Sequence, residues 1–127
     1  EKCYPLNGND LSPDRTPLEA GLAFAVDLHK SDFVGRETLI RQKTKGLHRR
    51  LVAIKQIGKS PPPRPGYLVF SGDEEVGILS SGGMSPILGC GISMAYITSG
   101  HNKVGTALDI EIRGKRFPAE IVKKPFI

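Results

Sequence analysis

Tryptophan is absent from this chain, tyrosine and phenylalanine are few, and no apolar run is long. Each shortage excludes something. With so few aromatics among its cations, the sequence offers no stacking platform for bases, and nucleic acid is not expected as a partner. The Lys and Arg residues behind the net charge of +5 are spread along the chain, with small concentrations at 41–45, at His48-Arg49-Arg50 and at Lys123-Lys124. They read as a solvated surface that leaves an acidic protein partner or an anionic ligand open. No stretch approaches the roughly 18 apolar residues that span a bilayer, and no basic-then-apolar secretory leader is present. A soluble domain without a membrane role is expected.

Cysteine and histidine are equally sparse. Cys3 and Cys90 lie far apart and outside any C-x-x-C pair, so the expectation is a reduced, buried pair in a reducing compartment. His29, His48 and His101 have no second ligand at i+3 or i+4, which sets a metal site aside.

The glycine-rich stretch "SSGGMSPILGCG" over 80–91 sits between two strand-like runs and invites a phosphate-loop reading. The residues refuse it. From Gly89-Cys90-Gly91 the third glycine of a dinucleotide fingerprint falls on Met94, and no helix pattern follows. The one Gly-Lys-Ser, Gly58 to Ser60, lacks its earlier glycine at Ala53 and runs into prolines at 61–63, which forbid the receiving helix. No G-x-S-x-G elbow occurs. Asp73-Glu74-Glu75 reads as a solvated hairpin tip. The glycines of 80–91 are better explained by positive φ and close backbone approach at a strand turn fixed by Pro86.

What is present is a chain long enough for one core. Thr16-Pro17-Leu18-Glu19 has the form of a capping box with proline at the first helical position, stopped by Gly21. The apolar run "LAFAVDL" after it predicts a buried strand. "RETLIRQKTK" over 36–45 predicts a helix with an i,i+4 Glu37–Arg41 pair, basic residues in its last turns and Gly46 as its stop. From Arg49 onward short strands alternate with turn signals, and Leu108, Ile110 and Ile112 alternate with polar residues at period two. A proline-stiffened connection, "GKSPPPRPG", interrupts them. The fold class expected is mainly β with a small α/β leader: an antiparallel, Greek-key-like barrel of about six strands preceded by one or two short helices. The division falls near residue 46, giving 1–46 and 47–127. No self-contained active site is legible, which suits a domain that supports a site made elsewhere.

"PLNGNDLSPDRTPLEAGLAFAV", "DFVGRETLIRQKTKGLHRRLVAI", "RPGYLVFSGDEEVGILSSGGMSPILGCGISMAYI" and "IRGKRFPAEIVKKPFI", in that order, resemble the carboxyl-terminal part of the glycine cleavage system T-protein, an aminomethyltransferase. The resemblance covers essentially the whole chain. It also touches the folate-binding half of sarcosine and dimethylglycine dehydrogenases, which is the alternative reading; a freestanding binding module with a basic face is a third. The resemblance implies a longer enzyme that takes an aminomethyl group from the lipoyl arm of the H-protein, passes the one-carbon unit to tetrahydrofolate and releases ammonia. It implies a bacterial cytoplasmic location, or the mitochondrial matrix in a eukaryote. The family's catalytic aspartate and its main pterin contacts would lie before Glu1, so no catalytic residue is expected within these 127 and the chain alone should not turn over.

Four residues are folate-pocket or domain-interface candidates by this resemblance: Glu1, Asn7, Asp10 and Arg50. Glu1 matches the glutamate of the family's arginine-leucine-glutamate-alanine-glycine stretch. Asn7 stands where the family has tyrosine, and Pro13 where it often has glutamate; both changes bear on substrate choice. Asp10 follows Gly8-Asn9 in a turn, where a carboxylate caps neighbouring amides. Arg50 opens the first barrel strand and is expected to brace the barrel against the catalytic domain through a bidentate carboxylate pair.

Overall fold

The computed structural model describes all 127 residues. Six strands close a barrel: β1 Arg49–Gln56, β2 Leu68–Ser71, β3 Glu74–Ser85, β4 Cys90–Thr98, β5 Ala107–Ile112 and β6 Lys115–Val122. Their order around the barrel is β1-β4-β3-β2-β5-β6, every pairing antiparallel, with β6 closing onto β1. β2, β3 and β4 form a meander and β5 returns to lie beside β2, which is Greek-key connectivity.

Period-two alternation decides which residues fill the barrel. Val52 and Ile54 of β1, Ala95 and Ile97 of β4, Leu108, Ile110 and Ile112 of β5 and Ile121 of β6 belong to one buried cluster with Val69, Val76 and Leu79. The residues between them point outward. Leu51, Met94 and Tyr96 make a second, smaller cluster on the outer wall, against which Cys3 packs. A two-residue hairpin, Arg113-Gly114, joins β5 to β6 with φ at +53° and +79°; two successive positive values mark the turn whose twist suits antiparallel strands.

The expected loop over 80–91 is mostly not a loop. β3 runs on to Ser85, and only 86–89 turn before β4. Of the four glycines, Gly89 alone has positive φ, at +67°. Gly82 and Gly91 are instead places of close approach. A Cβ on Gly82 would lie 2.8 Å from the Pro63 carbonyl oxygen, and one on Gly91 would overlap the Gln56 amide and come within 2.9 Å of Pro63 Cδ. The proline connection therefore packs onto the glycines rather than merely spanning β1 to β2.

Before the barrel lie one α-helix, α1 Arg36–Lys45, and one 3-10 turn, Ala23–Ala25. α1 has the predicted bounds, buries Leu39, and ends with the Gly46 N–H on the Gln42 carbonyl; the Glu37–Arg41 pair does not close to salt-bridge distance. The Thr16 capping box forms in both directions, Thr16 N–H to Glu19 Oε1 at 2.9 Å and Glu19 N–H to Thr16 Oγ1 at 3.2 Å. It starts a single turn. Gly21, with φ +76°, closes that turn at once, the Leu22 N–H bonding Pro17 O and the Gly21 N–H bonding Leu18 O.

No strand follows at "LAFAVDL", contrary to expectation. Ala23–Ala25 bonds locally, nothing in it is buried, and Phe24 is 87% exposed. A strand needs a neighbouring edge to take its backbone hydrogen bonds, and a closed barrel offers none. The two cysteines are free but only partly buried, which corrects the expectation of a buried pair. Cys3 holds φ at +59° in an irregular segment.

Candidate functional site

A β-bulge in β3 creates the junction between leader and barrel. The β3–β4 register shifts between Leu79 and Ser81, so Ser80 is an extra residue in the ladder. A bulge re-aims the side chain it carries. Ser80 Oγ donates to Asp10 Oδ1 at 2.5 Å and lies 3.2 Å from the Met94 carbonyl.

Asp10 is 2% exposed, and its other carboxyl oxygen accepts the Leu6 N–H at 2.9 Å. Its own carbonyl accepts from Tyr96 Oη at 2.6 Å. One short turn is thus locked to both β3 and β4.

Beside it stands a second lock. Arg49 donates to Glu19 Oε2 at 2.5 Å and to the Asp14 carbonyl at 2.7 Å, while Arg15 lies over the Tyr96 ring with 4.2 Å to the centroid. Burial acts to raise the Glu19 pKa. The Thr16 amide and hydroxyl and the Arg49 guanidinium outweigh it and hold the carboxyl below its ordinary value. Tyr96 is pushed up, first by burial, with the Glu19 and Asp10 carboxylates adding to it against the pull of Arg15 and Arg49.

Between the N-terminal segment and the β3–β4 hairpin lies a groove of about 540 Å³ lined among others by Glu1, Asp10, Met84, Met94 and Phe126. Glu1 is fastened at both ends: its carbonyl accepts the Phe126 N–H at 3.0 Å and its carboxylate accepts from Ser85 Oγ. Two thioethers and a phenyl ring make an apolar wall, and Glu1 supplies an acceptor at its rim. Such a surface suits one face of a flat, partly apolar molecule carrying N–H donors. No histidine lines the groove, and the chain assembles no group of three or more His, Cys, Asp or Glu side chains placed to hold a metal ion.

The candidates from sequence separate. Glu1 and Asp10 meet in this groove, though both Asp10 oxygens are engaged by protein donors. Asn7 is exposed in the turn just outside it, and its side chain makes no hydrogen bond. Arg50 is elsewhere, in a second groove with Lys45, His48 and Lys103. Within this chain the leader is gripped by the neighbour of Arg50, because Arg49 shares the outer face with Leu51 and so meets Glu19, whereas Arg50 follows Val52 and Ile54 toward the barrel's mouth. Ser80, Ser85 and Tyr96 escaped sequence reasoning. A bulge leaves no periodic trace, and a serine beside two glycines looks like a turn.

A small Greek-key barrel clasped by a leader, with a groove at their junction, is the class of domain defined here. The chain belongs to the glycine cleavage T-protein family: the family's C-terminal barrel domain matches residues 49–127. Aminomethyltransferases from Listeria monocytogenes serotype 4a and from Geobacillus sp. are 48% and 44% identical to it, each over 99% of this chain and 35% of their own length. One from Nostoc sp. is 45% identical over 99% of this chain and 34% of its own. The crystal structure of the glycine cleavage system aminomethyltransferase T from Bartonella henselae superposes with a TM-score of 0.91 at 30% identity, covering 99% of this chain and 36% of that one. This chain spans about a third of the length of the relatives it matches.

Proposed function

We propose that this chain serves as the carboxyl-terminal part of a tetrahydrofolate-dependent aminomethyltransferase. It would act in transfer of a one-carbon unit from the aminomethyl-lipoyl arm of an H-protein to tetrahydrofolate, with release of ammonia. The observation that carries the reading is similarity along the leader as well as the barrel: relatives named aminomethyltransferase align over 99% of the chain. In this reading residues 1–46 complete the catalytic region, 47–127 form the barrel that buttresses it, and the work is done in the bacterial cytoplasm.

The chemistry of the groove supports it. Met84, Met94 and Phe126 present an apolar face to a flat ring, and the Glu1 carboxylate accepts N–H donors at its edge. Tetrahydrofolate is the substrate that fits there, as one wall of a pocket whose other wall comes from the catalytic region. Asp10 acts as a positioning residue, holding the 6–10 turn against β3 and β4. In this reading the acid and base of the carbon transfer come from the catalytic region, and the Glu1 and Asp10 carboxylates of the groove bind and position. A flavin-linked dehydrogenase reading has less support, since the relatives are named aminomethyltransferases.

Fusing the chain to the amino-terminal two thirds of the Listeria relative, in place of that enzyme's own end, tests the proposal. Given aminomethylated H-protein and tetrahydrofolate, the chimera should release ammonia, and the 127-residue chain alone should not. A folded chimera with no ammonia above background would sink the reading.

A further inference from the structure

Most cations of this molecule stand singly on its surface, and two smaller groups differ from them. Those that hold the fold together have partners: Arg49 on Glu19, Arg15 over Tyr96, and Arg116 at 3.7 Å from Asp73 and 4.0 Å from the Phe70 ring centroid. Lys45, Arg50 and Lys103, with His48 among them, have none. All four line a single groove of about 690 Å³, formed where α1 ends, β1 begins and the β4–β5 loop folds back, and no Asp or Glu lines it.

Their spacing is set by ordered backbone. The Ser99 N–H bonds the His48 carbonyl at 2.7 Å, and Arg49 and Arg50 lie opposite Thr98 and Ile97 in the β1–β4 ladder. Beyond the groove Arg50 also acts on Lys124, whose amine burial holds below its ordinary pKa with Arg50 adding to the effect and Cys3 and Asp10 opposing it. Gathering like charges without a counter-ion works against folding, so a cluster of this kind is a place where stability yields to binding.

We propose that this groove docks an acidic segment of a partner protein. Three features favour carboxylates on a polypeptide over nucleic acid. No Phe, Tyr or Trp lines the groove, which leaves bases only the His48 ring and the Arg50 guanidinium to stack on. The cations fill one groove instead of tracking a long phosphate backbone. Leu47 and Val104 give it apolar contacts, while Ser99 and Asn102 add polar groups, as a peptide requires. It shares no residue with the groove at the N-terminal segment, so the proposal stands apart from the one-carbon chemistry.

A fluorescently labelled, glutamate-rich peptide is the probe, its anisotropy titrated with the protein. Binding should weaken by about tenfold or more between low salt and roughly 0.3 M salt. R50E and K103E should each weaken it several-fold or more, and K115E, a reversal on exposed, unpaired β6, should leave it within about twofold. Thermal unfolding of K115E should match the parent, and R50E and K103E should unfold no lower than it, since all three sites are exposed and unpaired and the two groove reversals relieve repulsion among like charges. Absence of binding, equal loss in all three variants, or a single-stranded oligonucleotide of equal charge binding this groove more tightly would each overturn the proposal.

Discussion

Each candidate residue has its effect decided by what its side chain touches. Ser80→Ala removes the donor to a buried carboxylate and is expected to cost about 2 kcal/mol in urea unfolding. Asn7→Ala, exposed and unbonded, should stay within about 0.5 kcal/mol of the parent. A reversed order would mean that the 6–10 turn is not anchored through Ser80. Glu19→Gln should cost only about 0.5–1 kcal/mol, because the Arg49 side chain is 36% exposed and water screens the pair. Its fingerprint is pH. With its folded pKa below 4.5, Glu19 contributes stability that is fully present above that value and lost as pH falls from it through the folded pKa. The variant's denaturation midpoint should therefore approach the parent's on acidification; a constant gap from neutral pH down to about 3 would rule out this linkage.

Among the elements, the β3–β4 hairpin carries the sharpest test. Gly82 and Gly83 are adjacent, neither has positive φ, and they face different surroundings. A Cβ on Gly83 meets only the end of Arg64 at 3.9 Å, whereas one on Gly82 meets Pro63 backbone. Gly82→Ala and Gly91→Ala should each destabilise by about 2 kcal/mol or more, and Gly83→Ala by no more than about 0.5 kcal/mol. Equal costs at 82 and 83 would show that the pair is kept for backbone freedom and not for contact with the proline connection. α1 and the six strands were legible from caps, periodicity and turn residues. The glycine stretch was not, because glycines that serve a turn and glycines that admit another segment look alike until that segment is in place.

At the scale of the whole molecule, apolar surface is unevenly distributed. The barrel buries its alternating residues almost completely, while the leader leaves Tyr4 85%, Phe24 87% and Val34 103% exposed. Such exposure of large apolar side chains on one segment suits a surface that meets further protein. In the proposed enzyme the catalytic region would cover it. Phe24→Ser with Val34→Ser should leave the stability of this chain within about 0.5 kcal/mol while lowering its binding of a hydrophobic dye. In the chimera the same pair should impair folding or activity. Unchanged activity in the chimera would mean that this face is not the interface.

By itself the sequence determined the local and the periodic: the bounds of α1, the capping box at Thr16, the six strands, the positive-φ turns, and a family resemblance specific enough to name the enzyme class. Those properties depend on residues within a few positions of one another, or on patterns that repeat along the chain. Only the tertiary structure decided that "LAFAVDL" has no edge to join, that Arg49 and not Arg50 grips the leader, and that Ser80 reaches Asp10. These depend on barrel closure and on a one-residue bulge, which bring together positions 30 to 70 apart. No pattern along the chain records which of two neighbouring side chains will face a distant partner once the sheet has curled.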